Sequence, residues 1–137
     1  MRRFALALCL AATLPAAILP VAAQTAPMTG AEFETYANGK TLTYARDGAI
    51  WGTEQYLPGR RVIWAFTEDE CKDGTWYEDG DAICFLYADE PFPQCWHFFA
   101  EANGLRAQYL GDPESTPLSE VNQSDGPMPC MGPDVGV

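Results

Sequence analysis

His97 is the only histidine in the chain, so any imidazole-based chemistry must pass through it. A hydrolytic triad sets a nucleophile beside such a base. The three serines, Ser115, Ser119 and Ser124, all fall in the proline-rich stretch after Gly111, and no G-x-S-x-G occurs. His97 therefore reads as a packed or surface residue, or as a contact to a bound ligand, rather than a catalytic base. The acids Glu68, Asp69, Glu70, Asp73, Glu78, Asp79 and Asp81 are the next cluster. Paired carboxylates serve glycoside hydrolysis or calcium binding, but these acids sit at turns, where Asp is used for backbone reasons, and the D-x-[DN]-x-[DN]-G spacing is absent. Solvated turn charge is the simpler reading. Met128-Pro129-Cys130-Met131 offers soft copper ligands, and the cysteine spacings of 13, 11 and 35 lack the C-x-x-C pairing of a zinc site. The expectation is no catalytic residue, no metal and no cofactor.

Aromatic residues are the richer signal. Four tryptophans (Trp51, Trp64, Trp76 and Trp96) and six tyrosines are generous for 137 residues. On alternating strands they form core, or they line the mouth of a barrel and stack a sugar or apolar ligand. Trp51, Trp64, Trp76 and His97 are accordingly the candidate ligand-binding residues.

The elements that must position them are mostly strands. Thr29-Gly30-Ala31-Glu32 has the spacing of a capping box, with Phe33, Tyr36 and Ala37 on one face and Gly39 as a stop, which predicts one short helix over residues 30–38. Then Lys40–Ala45 and Ala49–Leu57 flank Asp47-Gly48, Arg61–Thr67 follows Pro58-Gly59, Thr75–Glu78 and Ala82–Ala88 flank Asp79-Gly80, and Cys95–Glu101 and Leu105–Leu110 flank Asn103-Gly104. Such dipeptides tolerate the positive backbone angles of tight hairpins. Seven strands in a meander, closing toward a small barrel that hides its edges, make the expected fold mainly β. Val62, Trp64 and Phe66, then Ile83, Phe85 and Tyr87, then Trp96 and Phe98 should share the core face, with Cys84, Cys95 and His97 opposite. Gly52-Thr53 and Gly74-Thr75 echo one another in two of the hairpins. From Gly111 onward five prolines and no apolar period describe an irregular C-terminal tail.

Compartment follows from the N-terminus and the cysteines. Arg2-Arg3, an uncharged apolar run from Phe4 to Val21 and the small-x-small Val21-Ala22-Ala23 predict a signal peptide over residues 1–23, cleaved after Ala23, with Cys9 discarded in it. One secreted or periplasmic domain, residues 24–137, is expected, with 111–137 as its tail and no membrane span after cleavage. That mature chain carries six basic residues against nineteen acids, a charge of −13. Nucleic acid is disfavoured as a partner by the lack of basic clusters; the charge reads first as solubility, with attraction of a basic protein or a divalent cation as the sharper alternative. Four cysteines remain, Cys71, Cys84, Cys95 and Cys130, so two disulfides are the default outside the cytosol. Three pairings are possible and spacing alone does not choose; a hairpin would set Cys84 opposite Cys95 and leave Cys71 to hold the tail through Cys130.

Thr29-Gly30-Ala31-Glu32, Gly39-Lys40-Thr41, Gly74-Thr75-Trp76, Cys84-Phe85-Leu86-Tyr87 and Cys95-Trp96 together resemble a domain-of-unknown-function family of small exported bacterial proteins, over residues 29–110. The resemblance implies a periplasmic β-rich domain with a Cys84–Cys95 bridge and no activity. Size, leader, acidity and disulfides are also similar to a lysozyme-inhibitor family, whose Ser-Gly-rich inhibitory loop is absent here. The functional expectation is a non-catalytic protein binding a small ligand or an envelope partner, with an acidic inhibitor or interaction protein directed at a basic enzyme as the alternative.

Overall fold

Alternating apolar residues bury one face of each strand, and a sheet with one buried face hides its edges most completely by closing on itself. In the computed structural model, which describes residues 25–66 and 70–130, the chain does this with eight strands. The order is α1 (Gly30–Ala37), β1 (Thr41–Arg46), β2 (Ala49–Leu57), β3 (Arg61–Ala65), β4 (Cys71–Asp79), β5 (Ala82–Tyr87), β6 (Gln94–Glu101), β7 (Gly104–Tyr109) and β8 (Leu118–Ser124). Every neighbour pair is antiparallel, and β8 closes the barrel against β1. The predicted leader and its cleavage point, together with Thr67, Glu68, Asp69 and Met131, lie outside the described residues.

The turn chemistry acts where the sequence places it. Asp47 and Gly48 adopt φ of 51° and 81°, the left-handed pair of a tight two-residue hairpin. Thr29 caps α1 through its side chain, and Glu32 reaches back to the Thr29 amide at 2.8 Å.

Two expectations need correction. The strands number eight rather than seven, because β8 lies inside the stretch read as an irregular tail. Its inward positions are Leu118 and Glu120, so the apolar alternation that marks a strand is missing. Also, β4 begins at Cys71, four residues before the predicted start, with Lys72 and Asp73 hidden among the turn acids. The chain after β8 is irregular as expected. It is tied to the barrel by Thr41 Oγ1 donating to the Gly126 carbonyl, by the Met128 amide donating to Gln55 Oε1 and by the Cys71–Cys130 bridge.

Two seams are short of strand pairing and are patched. Only Arg106↔Ser119 and Ala107↔Leu118 pair β7 with β8. Beyond them the buried Glu120 carboxylate accepts from the Leu105 amide at 2.9 Å and from Tyr36 Oη at 2.8 Å, replacing a strand acceptor. Between β5 and β6 three residue pairs form, Cys84↔Cys95 among them, and further along the Met28 amide donates to the Phe98 carbonyl.

The disulfides are Cys84–Cys95 and Cys71–Cys130. By chain-entropy reasoning the 11-residue closure of the first contributes about 3 kcal/mol. Replacing both Cys84 and Cys95 by alanine should therefore lower the stability measured by urea unfolding by about that amount. An unchanged midpoint would show that the β5–β6 seam is held without the bridge.

The two barrel ends differ. Helix α1 blocks one of them, fastened by Arg60 to Glu34 at 3.1 Å and by the Gly30 amide donating to Glu78 Oε1 at 2.9 Å. Phe33 descends from α1 into the barrel as a fully buried plug. The ends of β1, β3, β5 and β7 and the starts of β2, β4, β6 and β8 lie at the other end.

Candidate functional site

Above the Phe33 plug the barrel is not filled. A cavity of about 350 Å³ opens between the strands at the end away from α1. One wall carries Trp51, Trp64 and Phe66, with Phe66 edge-on to both tryptophans at 5.9 and 5.3 Å. The facing wall carries Trp96 and Tyr109, 4.8 Å apart, and Phe85 and Tyr87 stack between the walls at 6.3 Å. The volume lies near the small end of the roughly 300–1,000 Å³ typical of ligand sites.

Backbone detail makes the room. Tyr44 pairs with Gly52 but Ala45 pairs with Ile50, so Trp51 is the extra residue of a β-bulge, and its ring lies at the mouth. Gly52 and Gly74 are the inward residues beneath two of the rings. A Cβ on Gly52 would collide with the Trp64 ring, and one on Gly74 would come within 2.7 Å of the Tyr87 ring. The echoing Gly-Thr pairs thus have one shared use: each glycine lets an aromatic ring lie flat against the wall.

Polar groups sit within this aromatic lining. Glu54, on β2 between the inward Gly52 and Tyr56, is almost wholly buried. Tyr87 Oη donates to its two carboxylate oxygens at 2.9 and 3.2 Å, and the Tyr44 and Tyr56 hydroxyls meet at 2.9 Å. Burial pushes the Glu54 carboxyl up to about 8, against the opposing pull of the Tyr87 hydrogen bond. The acid is therefore mostly protonated at neutral pH. At the mouth, Lys72 is held by Asp89 and Glu90, each at 3.1 Å. Arg46 lies over the Trp51 ring at 4.0 Å, its buried Nε without a hydrogen-bond partner.

Of the four residues the sequence nominated, Trp51 and Trp64 line the cavity and Trp76 and His97 do not. Trp76 points inward, but at the blocked end, against Phe33 at 5.2 Å and under Arg60 at 4.5 Å. His97 shares the outward parity of Cys95 and Phe99, and its Nε2 lies 3.1 Å from Asp81 Oδ1. The sequence reading missed Tyr44, Glu54, Tyr56 and Tyr87 as a group. The available signal was a carboxylate alternating with Gly52 and Tyr56 on the core face of β2. Among the described residues no His, Cys, Asp and Glu cluster is arranged to hold a metal.

Fold and site together define a small eight-stranded barrel, stapled by two disulfides, with one blocked end and one open, aromatic-lined end. Comparison of the chain with protein-family models, with curated proteins and with solved structures finds no match in any of the three. Among the described residues no helix is long and apolar enough to cross a membrane.

Proposed function

We propose that this is a non-catalytic binding protein of the periplasm or the extracellular space, which holds a small apolar or aromatic molecule in the open half of its barrel. The observation that carries the reading is the hollow itself. Protein interiors are ordinarily packed to crystal density, and this barrel is packed so at the α1 end yet keeps about 350 Å³ open between aromatic walls at the other. The two disulfides support an oxidising compartment, as does the resemblance to small exported proteins. A binding role rather than turnover is supported by the cavity lining, in which no imidazole occurs and Ser115 Oγ is committed to the Asp112 carbonyl at 2.6 Å.

Titration of the intrinsic tryptophan emission with a neutral apolar dye, N-phenyl-1-naphthylamine, tests the reading. Saturable binding at one site is expected. Ala107→Phe puts a ring into the cavity from a buried lining position and should weaken it at least tenfold while the near-ultraviolet circular dichroism is retained. Absence of saturable binding, or dye affinity indifferent to Ala107→Phe, overturns it. The acidic-partner alternative draws on the charge of −11 for the whole chain. It would appear instead as steeply salt-dependent binding to a basic enzyme that the cavity-filling change leaves intact.

A further inference from the structure

Resting on the binding reading above, the geometry points to a particular ligand class: we propose that the cavity selects organic cations, a primary or quaternary ammonium on a small apolar body, with the ammonium seated against Glu54 inside the ring of Tyr44, Tyr56, Trp64 and Tyr87. Four observations converge on it.

Glu54 is the one acid on the cavity wall inside the mouth, three residues along β2 from Trp51, and it makes no ion pair among the described residues. A single hydroxyl, Tyr87 Oη, is shared between its two oxygens, so most of its acceptor capacity is unused. The surrounding surface is aromatic, and ring faces attract a desolvated cation. The positive groups are at the mouth: Lys72 is engaged by Asp89 and Glu90, while Arg46 lies over the Trp51 ring with its Nε unpartnered. Glu90 and Asp112 stand beside them on the lining. Finally, the chain's charge of −11 draws cations toward the barrel and repels anions.

Seating the cation ionises the acid. The protonated Glu54 carboxyl gives its proton to solvent and the carboxylate pairs with the ammonium, so one proton leaves for each cation bound. The titratable groups sharing the cavity with Glu54 are Tyr44 and Arg46 on β1, Tyr56 on β2, Lys72 on β4, Tyr87 on β5, and Glu90 and Asp112 at the mouth, and burial raises the three tyrosines well above their ordinary range. Glu54 is therefore the group that titrates on binding near neutral pH.

The experiment compares benzyltrimethylammonium with its carbon isostere neopentylbenzene and with phenylpropionate, by calorimetry and tryptophan fluorescence. The ammonium should bind at least tenfold tighter than either at pH 8, and its affinity should fall about tenfold per pH unit below that. Glu54→Gln should erase both the preference and the pH dependence. On the unaltered protein, calorimetry in two buffers of different ionisation enthalpy should register release of close to one proton at pH 6.5, which guards against a variant that folds poorly. Binding of the neutral probe or the carboxylate at equal or higher affinity, or no proton release, overturns the cation assignment and leaves the binding reading standing. Failure of all three probes, with the dye, overturns both.

Discussion

Phe33→Ala should destabilise the protein by roughly 4–5 kcal/mol, near the upper end of the range for deleting a buried aromatic ring. Phe33 is fully buried, and its ring meets Phe98 at 4.5 Å, Trp76 at 5.2 Å, Tyr56 at 5.5 Å and Phe85 at 6.3 Å. Those partners come from four strands, β2, β4, β5 and β6, so one side chain joins α1 to half the barrel. Strands locked by a closed hydrogen-bond ladder cannot collapse into the space it leaves, which is the circumstance in which a cavity costs most. Edge-to-face ring contacts are lost in addition to area. Urea unfolding should show a lower midpoint with little change in slope. Phe92, the most exposed large apolar residue among the described residues, is the control, and Phe92→Ala should stay within about 0.5 kcal/mol of the parent. A loss under about 1 kcal/mol for Phe33→Ala would mean that α1 is an ornament on the barrel rather than its floor.

What could be read in advance follows from which physics is local. The Asp47-Gly48 turn and the Thr29–Glu32 cap are settled within four residues of chain, and the structure has them where the sequence shows them, whereas the turn read at Asp79-Gly80 falls one residue later, at Gly80-Asp81, because Asp79 still pairs with Ala82. The barrel's closure was legible as a need for hidden edges, but the strand that meets it was not. In β8 the inward Glu120 is polar because it repairs a seam, serving Leu105 and Tyr36 at once, and that need arises only when distant strands meet. The candidate site shows the same division. Trp64 follows from period-two alternation, whereas Trp51 reaches the mouth through a one-residue bulge that no alternation pattern contains. Trp76 has the same inward parity as Trp64, and only the position of the Phe33 plug places it in the filled half. Glu54 was hidden for a different reason: a lone acid in a strand of a chain with 19 acids carries no mark of burial until its partner Tyr87 is brought across the barrel.

Glu54 also predicts how stability depends on pH. Its carboxyl is raised from an ordinary 4.5 to about 8 in the folded chain, by burial first and despite the Tyr87 bond. Between those values the folded state holds a proton that the unfolded state releases, so stability must fall as pH rises through the window and level off above it. At 1.36 kcal/mol per unit the loss between pH 4.5 and pH 8 is on the order of 5 kcal/mol. Glu54→Gln keeps the shape and a hydrogen-bonding group but cannot ionise. The variant and the parent should have similar urea midpoints near pH 5 and diverge steadily above it, with the variant the more stable by several kcal/mol at pH 8.5. The difference between the two curves isolates Glu54 from the surface acids, which are common to both. Parallel curves would place the carboxyl in contact with water and remove the reason for treating it as special. Where the curves do diverge, the parent at pH 8 carries a residue that an isosteric amide would outperform for folding alone. A buried acid without an ion pair that weakens its own scaffold in the pH range where it ionises points to a demand other than stability, and the proposed cation between the tyrosines would turn its charge from a cost into a contact.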